Sequence, residues 1–196
     1  MKHYAITGGI GSGKSTVLSL FKKLGIPTFS ADNSAKYAME HNPKVKEKVI
    51  ALFGDTVYNN GVLNRALLAE YVFNDKTKLK ALNVVVHPAA KTAYEHWRDA
   101  QDAPYTMYEI PIVFELNAQD RFDGVILVLA PEKERIQRVQ IRDKVSKDAV
   151  MARIKNQWTD EQKIPLTKFV IENTDLSNTQ YQVNALHQQL LEESKR

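Results

Sequence analysis

Cysteine is absent from the 196-residue chain, which excludes disulfide scaffolds, thiol nucleophiles and thiolate metal sites together. Long apolar runs are missing too. The longest, Val125-Ile126-Leu127-Val128-Leu129-Ala130, has the length of a buried strand and falls far short of the ~18–20 residues of a membrane span. The N-terminus lacks the apolar stretch and cleavage site of a secretory signal, so a soluble, cytoplasmic protein without a membrane partner is expected. Neither charge sign dominates: 27 Lys+Arg against 23 Asp+Glu leave +4. That excess suits an anionic ligand without demanding a polynucleotide. With no interleaving of aromatic and basic residues to stack on bases, no nucleic-acid partner is expected. There is no repeat or linker, and the length fits one domain of ordinary size with small insertions.

Glycine is scarce as well, but its placement carries information. Of eight glycines, four (Gly8, Gly9, Gly11, Gly13) fall within six residues. The stretch Gly8-Gly9-Ile10-Gly11-Ser12-Gly13-Lys14-Ser15 satisfies G-x-x-x-x-G-K-[ST]. Before it, His3 to Thr7 reads as a buried strand. After it, Val17, Leu20, Phe21 and Leu24 recur at helical spacing, with Gly25 as a stop. Backbone N–H groups converge on a phosphate only where side chains do not obstruct them, hence the glycines. The following helix adds its unsatisfied N–H groups and the positive end of its dipole. Gly9, Gly11, Ser12, Gly13, Lys14, Ser15 and Thr16 are therefore expected to bind a nucleoside triphosphate, ATP for a kinase. Lys14 would reach the β/γ-phosphates, and the Ser15 hydroxyl would ligate Mg²⁺.

Strand-like runs recur at Pro27–Ala31, Tyr105–Ile110, Gly124–Ala130 and Phe169–Ile171, separated by helical patterns. Strands alternating with helices predict a three-layer α/β fold with a mostly parallel five-stranded sheet. Residues 33 to 101 read mainly as helices. Asn42-Pro43 looks like a cap and first turn, Gly54 a stop, Asn60-Gly61 a turn, and Asn64 and Asp75 further caps. This block is too long for one crossover and reads as a helical insertion beside the sheet.

A small kinase needs a carboxylate for the acceptor hydroxyl, positive charge for the transferring phosphoryl group, and a cover against water. Asp32 lies just past the second predicted strand, where open α/β sheets place ligands; it could equally cap the helix that follows. The window Pro131–Lys163 holds nine Lys/Arg against six Asp/Glu, including Arg135, Arg138, Arg142 and Arg153. Arg135, Arg138 and Arg142 share a helical face. Alone, such a run reads as a solvated face; beside a phosphate loop, a phosphate-clamping lid is the better reading.

These residues also carry a family likeness. The chain resembles the dephospho-coenzyme A kinases over essentially its whole length. The matching blocks run Thr7–Thr16, Ala31-Asp32, Arg65-Ala66-Leu67-Leu68 with Val72-Phe73, His87-Pro88, and Ile110-Pro111-Ile112-Val113-Phe114-Glu115. They continue through Arg138, Arg142-Asp143, Arg153 with Gln157, and Val170-Ile171-Glu172-Asn173. The ordered combination is far more specific than the phosphate loop alone. The resemblance implies transfer of the ATP γ-phosphoryl group to the ribose 3′-hydroxyl of dephospho-coenzyme A, with Mg²⁺. It implies a nucleotide-binding core (residues 1–29, 101–130 and 164–196), a helical substrate domain (30–100) and a helical lid (131–163). By position, Asp32 matches the family's catalytic base, with Lys14, Arg138 and Arg142 as its catalytic cations. Asn173 falls where the family contacts the adenine region, while Arg65, His87 and Glu115 are candidates toward the acceptor. For His87 a helix-junction role stays open; for Glu115, structure or substrate positioning is favoured over metal binding. The chain departs from the family where an Asp-x-Asp pair is usual, keeping Asp32 but placing Ser30 first. It also has Lys36 for an arginine, which loses bidentate phosphate recognition, and Thr167-Lys168 for Ala-Asp.

Overall fold

The computed structural model describes residues 1–73 and 75–195, with Phe73 described by its backbone alone. By its internal contacts the chain divides into two units, Met1–Phe29 with Gln101–Arg196, and Ser30–Ala100.

The first unit is built on the strands that the apolar runs predict. β1 (Lys2–Thr7) is followed by α1 (Lys14–Lys23) and β2 (Thr28–Ser30). After the second unit the numbering resumes with β5 (Tyr105–Glu109), β6 (Gly124–Leu129) and β7 (Phe169–Glu172). The sheet order is β2-β5-β1-β6-β7. β1 pairs in parallel with β5, Lys2 opposite Tyr105, and with β6, Tyr4 opposite Gly124; β7 adds in parallel, Phe169 opposite Ile126. With both faces of the central strands covered, β6 can be apolar throughout, and β1 is buried from Tyr4 to Thr7. Alternation along the strands divides two clusters. Tyr4, Ile6, Ile126 and Val128 pack with Val17, Leu20 and Phe21 of α1 and with Val183 and Leu190 of α9 (Leu176–Ser194). Ala5 and Val125 pack on Val113, Phe114 and Ala118. This is the three-layer α/β fold that the pattern of strands and helices predicts.

Three helices lie between β6 and β7: α6 (Glu132–Asp143), α7 (Lys147–Ile154) and α8 (Asp160–Lys163). They belong to the first unit. Ile136, Val139 and Val150 form a small cluster of their own, against which Ile10 of the glycine loop packs.

The second unit holds α2 (Ala31–His41), α3 (Pro43–Phe53), α4 (Arg65–Phe73) and α5 (Lys76–Asp99) around Ala38, Val45, Val49, Val57, Leu63, Leu68, Leu82 and Val86. Its caps follow the sequence signals. Asn42 Oδ1 accepts from the Lys44 and Val45 amides, with Pro43 in the first turn, and Asp75 Oδ1 accepts from Thr77 and Lys78. Asn64 Oδ1 accepts from the Leu67 amide. The predicted turn at Asn60-Gly61 proves to be the tip of a hairpin, β3 (Tyr58–Asn59) with β4 (Val62–Leu63). Both turn residues have positive φ, the backbone that two-residue hairpins require. Two-residue strands are too short to show alternation, so the pattern of this block reads as helical without the hairpin.

Two expectations are corrected here. Asp32 is not the cap of α2 but its second residue. That helix begins at Ala31, and Ser30 Oγ accepts from the Asn33 amide at 3.5 Å. Nor does His87-Pro88 mark a helix junction, because α5 runs through it from Lys76 to Asp99. Pro88 removes one main-chain bond, to the Val84 carbonyl, and Val84 is exposed, where water can replace it.

Candidate active site

The glycine loop leaves β1 at Thr7, whose hydroxyl donates to the Pro111 carbonyl at 3.1 Å, and delivers the chain to α1. Gly13 stands at the helix N-cap in the left-handed region, φ 89°, which a side chain would strain. Being glycine, it offers no side-chain cap, and the first turn carries no acidic residue. The positive end of α1 is thus presented without a side-chain cap or a carboxylate from its own first turn, as suits an anion site. The Ser12 amide closes the loop on the Gly9 carbonyl, 3.1 Å away. Lys14 Nζ folds back across the loop onto the Gly8 and Gly9 carbonyls at 2.9 and 3.3 Å. Ser15 and Thr16 are exposed on the helix's first turn.

Asn173, at the end of β7, is buried and heavily committed. Its side-chain amide donates to the Ser12 carbonyl at 2.8 Å, and its Oδ1 accepts from Thr179 at 3.1 Å. It is therefore a strut beneath the glycine loop, with its amide turned toward protein. Its own carbonyl accepts from Arg138 Nη2 at 2.9 Å. Arg138 also bonds Glu134 at 2.8 Å, while its Nη1 is buried with no hydrogen-bond partner. The structure thus brings the glycine loop, Asn173 and Arg138 together within one unit.

Arg142 is held differently. It and Arg153 both bond the Asp143 carboxylate, each with a closest distance of 2.7 Å. These bonds, Arg142's first, hold the Asp143 carboxyl below its ordinary value, and the same bond raises the Arg142 guanidinium. The Arg142 side chain stays mostly exposed.

Glu115 braces the loop after β5 to the segment before β7. Its Oε1 accepts from the Trp158 amide at 3.0 Å and lies 2.9 Å from Lys163 Nζ, whose side chain is wholly buried. The ammonium sits off the direction of a good hydrogen bond, so the contact is ionic.

The remaining candidates belong to the second unit. Asp32 is exposed in the first turn of α2, a favourable place for negative charge and three residues along the chain from Phe29. Arg65 opens α4 with Nη2 and Nε 2.8 and 3.1 Å from one Glu40 oxygen. His87 is exposed on α5 beside Lys80, Asn83 and Val84.

Sequence reasoning passed over Lys163, and placed Arg135 only in a row of lid arginines and Gln157 only in a family block. Each is polar in a polar helical stretch, and nothing in helical spacing shows that Arg135 and Lys163 are buried. Gln157 Oε1 accepts from the Ile10 amide at 2.8 Å, inside the glycine loop. Among the described residues no three His, Cys, Asp or Glu gather as a cation site. The donor at hand is the exposed Ser15 hydroxyl. That fits a cation which keeps most of its shell as water and substrate phosphate oxygens, the habit of Mg²⁺. Among the described residues no helix is long and apolar enough to cross a membrane.

Comparison with known proteins bears on the whole arrangement. Residues 3–178 match the family described as dephospho-CoA kinase. A dephospho-CoA kinase from Thermus thermophilus is 40% identical over 169 residues, covering 86% of this chain and 81% of the relative. A crystal structure from Thermus thermophilus superposes with a TM-score of 0.84 at 37% identity, covering 97% of each chain. That of the dephospho-CoA kinase from Campylobacter jejuni gives 0.64 at 25% identity over 96% and 97%.

Proposed function

This chain belongs to the dephospho-CoA kinase family, and from that premise we propose how its residues divide the work of the reaction. The enzyme is an ATP-dependent kinase acting on dephospho-CoA. The γ-phosphoryl group passes to the ribose 3′-hydroxyl of the acceptor. The observation that carries the reading is the uncapped, carboxylate-free start of α1 behind the glycine loop, on a chain that matches this family nearly end to end.

In this proposal the amides of the loop and of the first turn of α1 take the β- and γ-phosphates. Gly9, Gly11 and Gly13 keep the approach open, with Ser12, Ser15 and Thr16 lining it. Lys14 exchanges its loop carbonyls for phosphate oxygens, a small rotation for a flexible ammonium. A bound Mg²⁺ would neutralise β- and γ-phosphate charge as it shifts, with the Ser15 hydroxyl as its ligand from the protein. Arg138 adds positive charge next to Asn173 and the loop, where nucleotide would lie. Arg142 supplies an exposed guanidinium, held on Asp143, from a lid formed by residues 131–163. Asp32 accepts the proton of the attacking hydroxyl. Arg65 and His87 serve the acceptor from the helical substrate domain, residues 30–100. Glu115 acts by holding the loop after β5 in place. ATP and a biosynthetic acceptor fit a cytoplasmic setting.

Coupled detection of ADP with ATP, Mg²⁺ and dephospho-CoA is the test, run beside a panel of nucleoside monophosphates. Turnover is expected with dephospho-CoA; release no faster than in an ATP-only control would overturn the reading. Asp32→Asn is expected to bind ATP normally while losing at least 100-fold in kcat, a loss within the range for removal of a general base. Near-normal transfer by that variant would remove Asp32 from the chemistry.

A further inference from the structure

The loop residue Ile10 has both of its main-chain polar groups held by side chains from elsewhere. Its amide is taken by Gln157 at 2.8 Å, and its carbonyl accepts from Arg135 Nε at 3.1 Å. Its side chain packs on the cluster of Ile136, Val139 and Val150. Arg135 is the unusual partner. Arg142 on the same helix is mostly exposed, whereas Arg135 is only 7% exposed. Burying a guanidinium is costly without a counter-charge. Asp160, at the start of α8, supplies it: Arg135 Nη1 donates to Asp160 Oδ2 at 3.0 Å. The guanidinium lies so close over Gly9 that a Cβ there would collide with it. Gly9 is thus glycine for Arg135's sake, in addition to the phosphate's.

We propose that Arg135, oriented by Asp160, is a positioning residue that sets the phosphate-binding form of Gly9–Gly11. It differs from Arg138 and Arg142 in that its Nε donates to the loop's own Ile10 carbonyl, whereas Arg138 bonds Glu134 and the Asn173 carbonyl and Arg142 bonds Asp143. Fixing the Ile10 carbonyl and covering Gly9 restricts a segment that glycine would otherwise leave free, so less conformational freedom is lost when phosphate binds. The same bonds tie the loop to α6 and α8, so phosphate binding is felt by the segment that carries Arg138 and Arg142. The inference uses the kinase reading above for its assay, but ATP binding alone can test it.

Three variants separate positioning from general stability. Arg135→Met with Asp160→Asn replaces the buried pair by neutral groups, a change that such pairs often tolerate. Arg135→Lys keeps the charge, but its single nitrogen cannot reproduce the fork to Ile10 and Asp160. Asp160→Asn alone keeps an acceptor and removes the charge. For the double variant the dissociation constant of ATP, measured by calorimetry without acceptor, is expected to rise at least 10-fold. KM for dephospho-CoA should stay within about 2-fold of wild type. Arg135→Lys and Asp160→Asn should fall between wild type and the double variant. Unchanged ATP affinity in the double variant would overturn the proposal, as would parallel loss of affinity for both substrates. Wild-type protein that binds ATP without phosphorylating dephospho-CoA would count against the function and leave the positioning test standing.

Discussion

Replacing Lys163 by Met should be among the most damaging changes available outside the glycine loop. Its ammonium lies 2.9 Å from Glu115 Oε1, with 0% of the lysine side chain and 13% of the glutamate side chain exposed. At that distance and an effective dielectric of 20, the attraction is about 6 kcal/mol. Desolvating the two charges costs a similar amount, several kcal/mol for each ion, so the intact pair is close to neutral for stability. Removing one partner breaks the compensation. Glu115 would remain desolvated, with its Oε2 already buried and without a hydrogen-bond partner. The expected loss is about 3–5 kcal/mol, or a fall in melting temperature of about 6–20 °C at ~2–4 °C per kcal/mol. Lys163→Met with Glu115→Gln should recover most of it, because Gln keeps an acceptor for the Trp158 amide. An exposed pair provides the contrast: Lys2→Met, which breaks the contact to Asp123, should cost below about 1 kcal/mol. Urea unfolding followed by Trp158 fluorescence, in a Trp97→Phe background, reads the relevant unit directly. A Lys163→Met loss under about 1 kcal/mol, or a double variant no better than the single, would refute the reasoning.

His187 should make stability depend on pH. Its Nδ1 lies 2.6 Å from the Tyr105 hydroxyl, and burial holds its pKa below 6.5. The unfolded chain therefore takes up a proton first as pH falls, so stability is full above about 6.5 and declines below it. His187→Gln should flatten the denaturation profile between about pH 7 and 5; an unchanged slope would exclude His187 as its source. Ser30 should be replaceable by Asp with less than about 0.5 kcal/mol of change, since both cap well, whereas Ser30→Ala should cost about 0.5–1 kcal/mol given the long 3.5 Å bond. Thermal melts of the two variants compare them; equal stability would mean that the cap contributes nothing. Lys14→Ala should weaken ATP binding and abolish transfer, because the ammonium that rests on the Gly8 and Gly9 carbonyls is the cation at hand for the phosphates. ATP calorimetry and turnover check this, and undiminished binding would contradict the assigned contact.

What the sequence made legible was whatever depends on short-range pattern. The strand-loop-helix around Gly8–Lys14, the caps at Asn42, Asn64 and Asp75, and the Asn60-Gly61 turn all rest on local backbone preference. Burial of charge is not local. Arg135 and Arg138 are three residues apart on one helix and look alike in sequence. They differ because Asp160, 25 residues further on, returns to meet one of them, while the Asn173 carbonyl meets the other. Lys163 and Glu115 are likewise joined only by the fold. Asn173 illustrates the converse. Its position was legible from the family likeness, yet its amide faces Ser12 and its oxygen faces Thr179.

This division has a mechanical sense in a phosphoryl-transfer enzyme. Glycines give the loop freedom, and freedom costs entropy when the phosphates bind. The long-range polar contacts remove it beforehand: Gln157 and Arg135 at Ile10, Asn173 at Ser12, and Thr7 on the Pro111 carbonyl. None of these side chains needs to touch substrate, and each ties the glycine loop or its flanking residue Thr7 to another part of the fold. Positioning on this account is distributed over residues that helical and strand periodicity file as ordinary surface or core. A survey of alanine variants at these four positions should then weaken ATP binding at each while sparing the affinity for dephospho-CoA. If only the variants of Lys14 and the glycines lowered ATP affinity, the loop would be holding its own shape, and the long-range contacts would be packing alone.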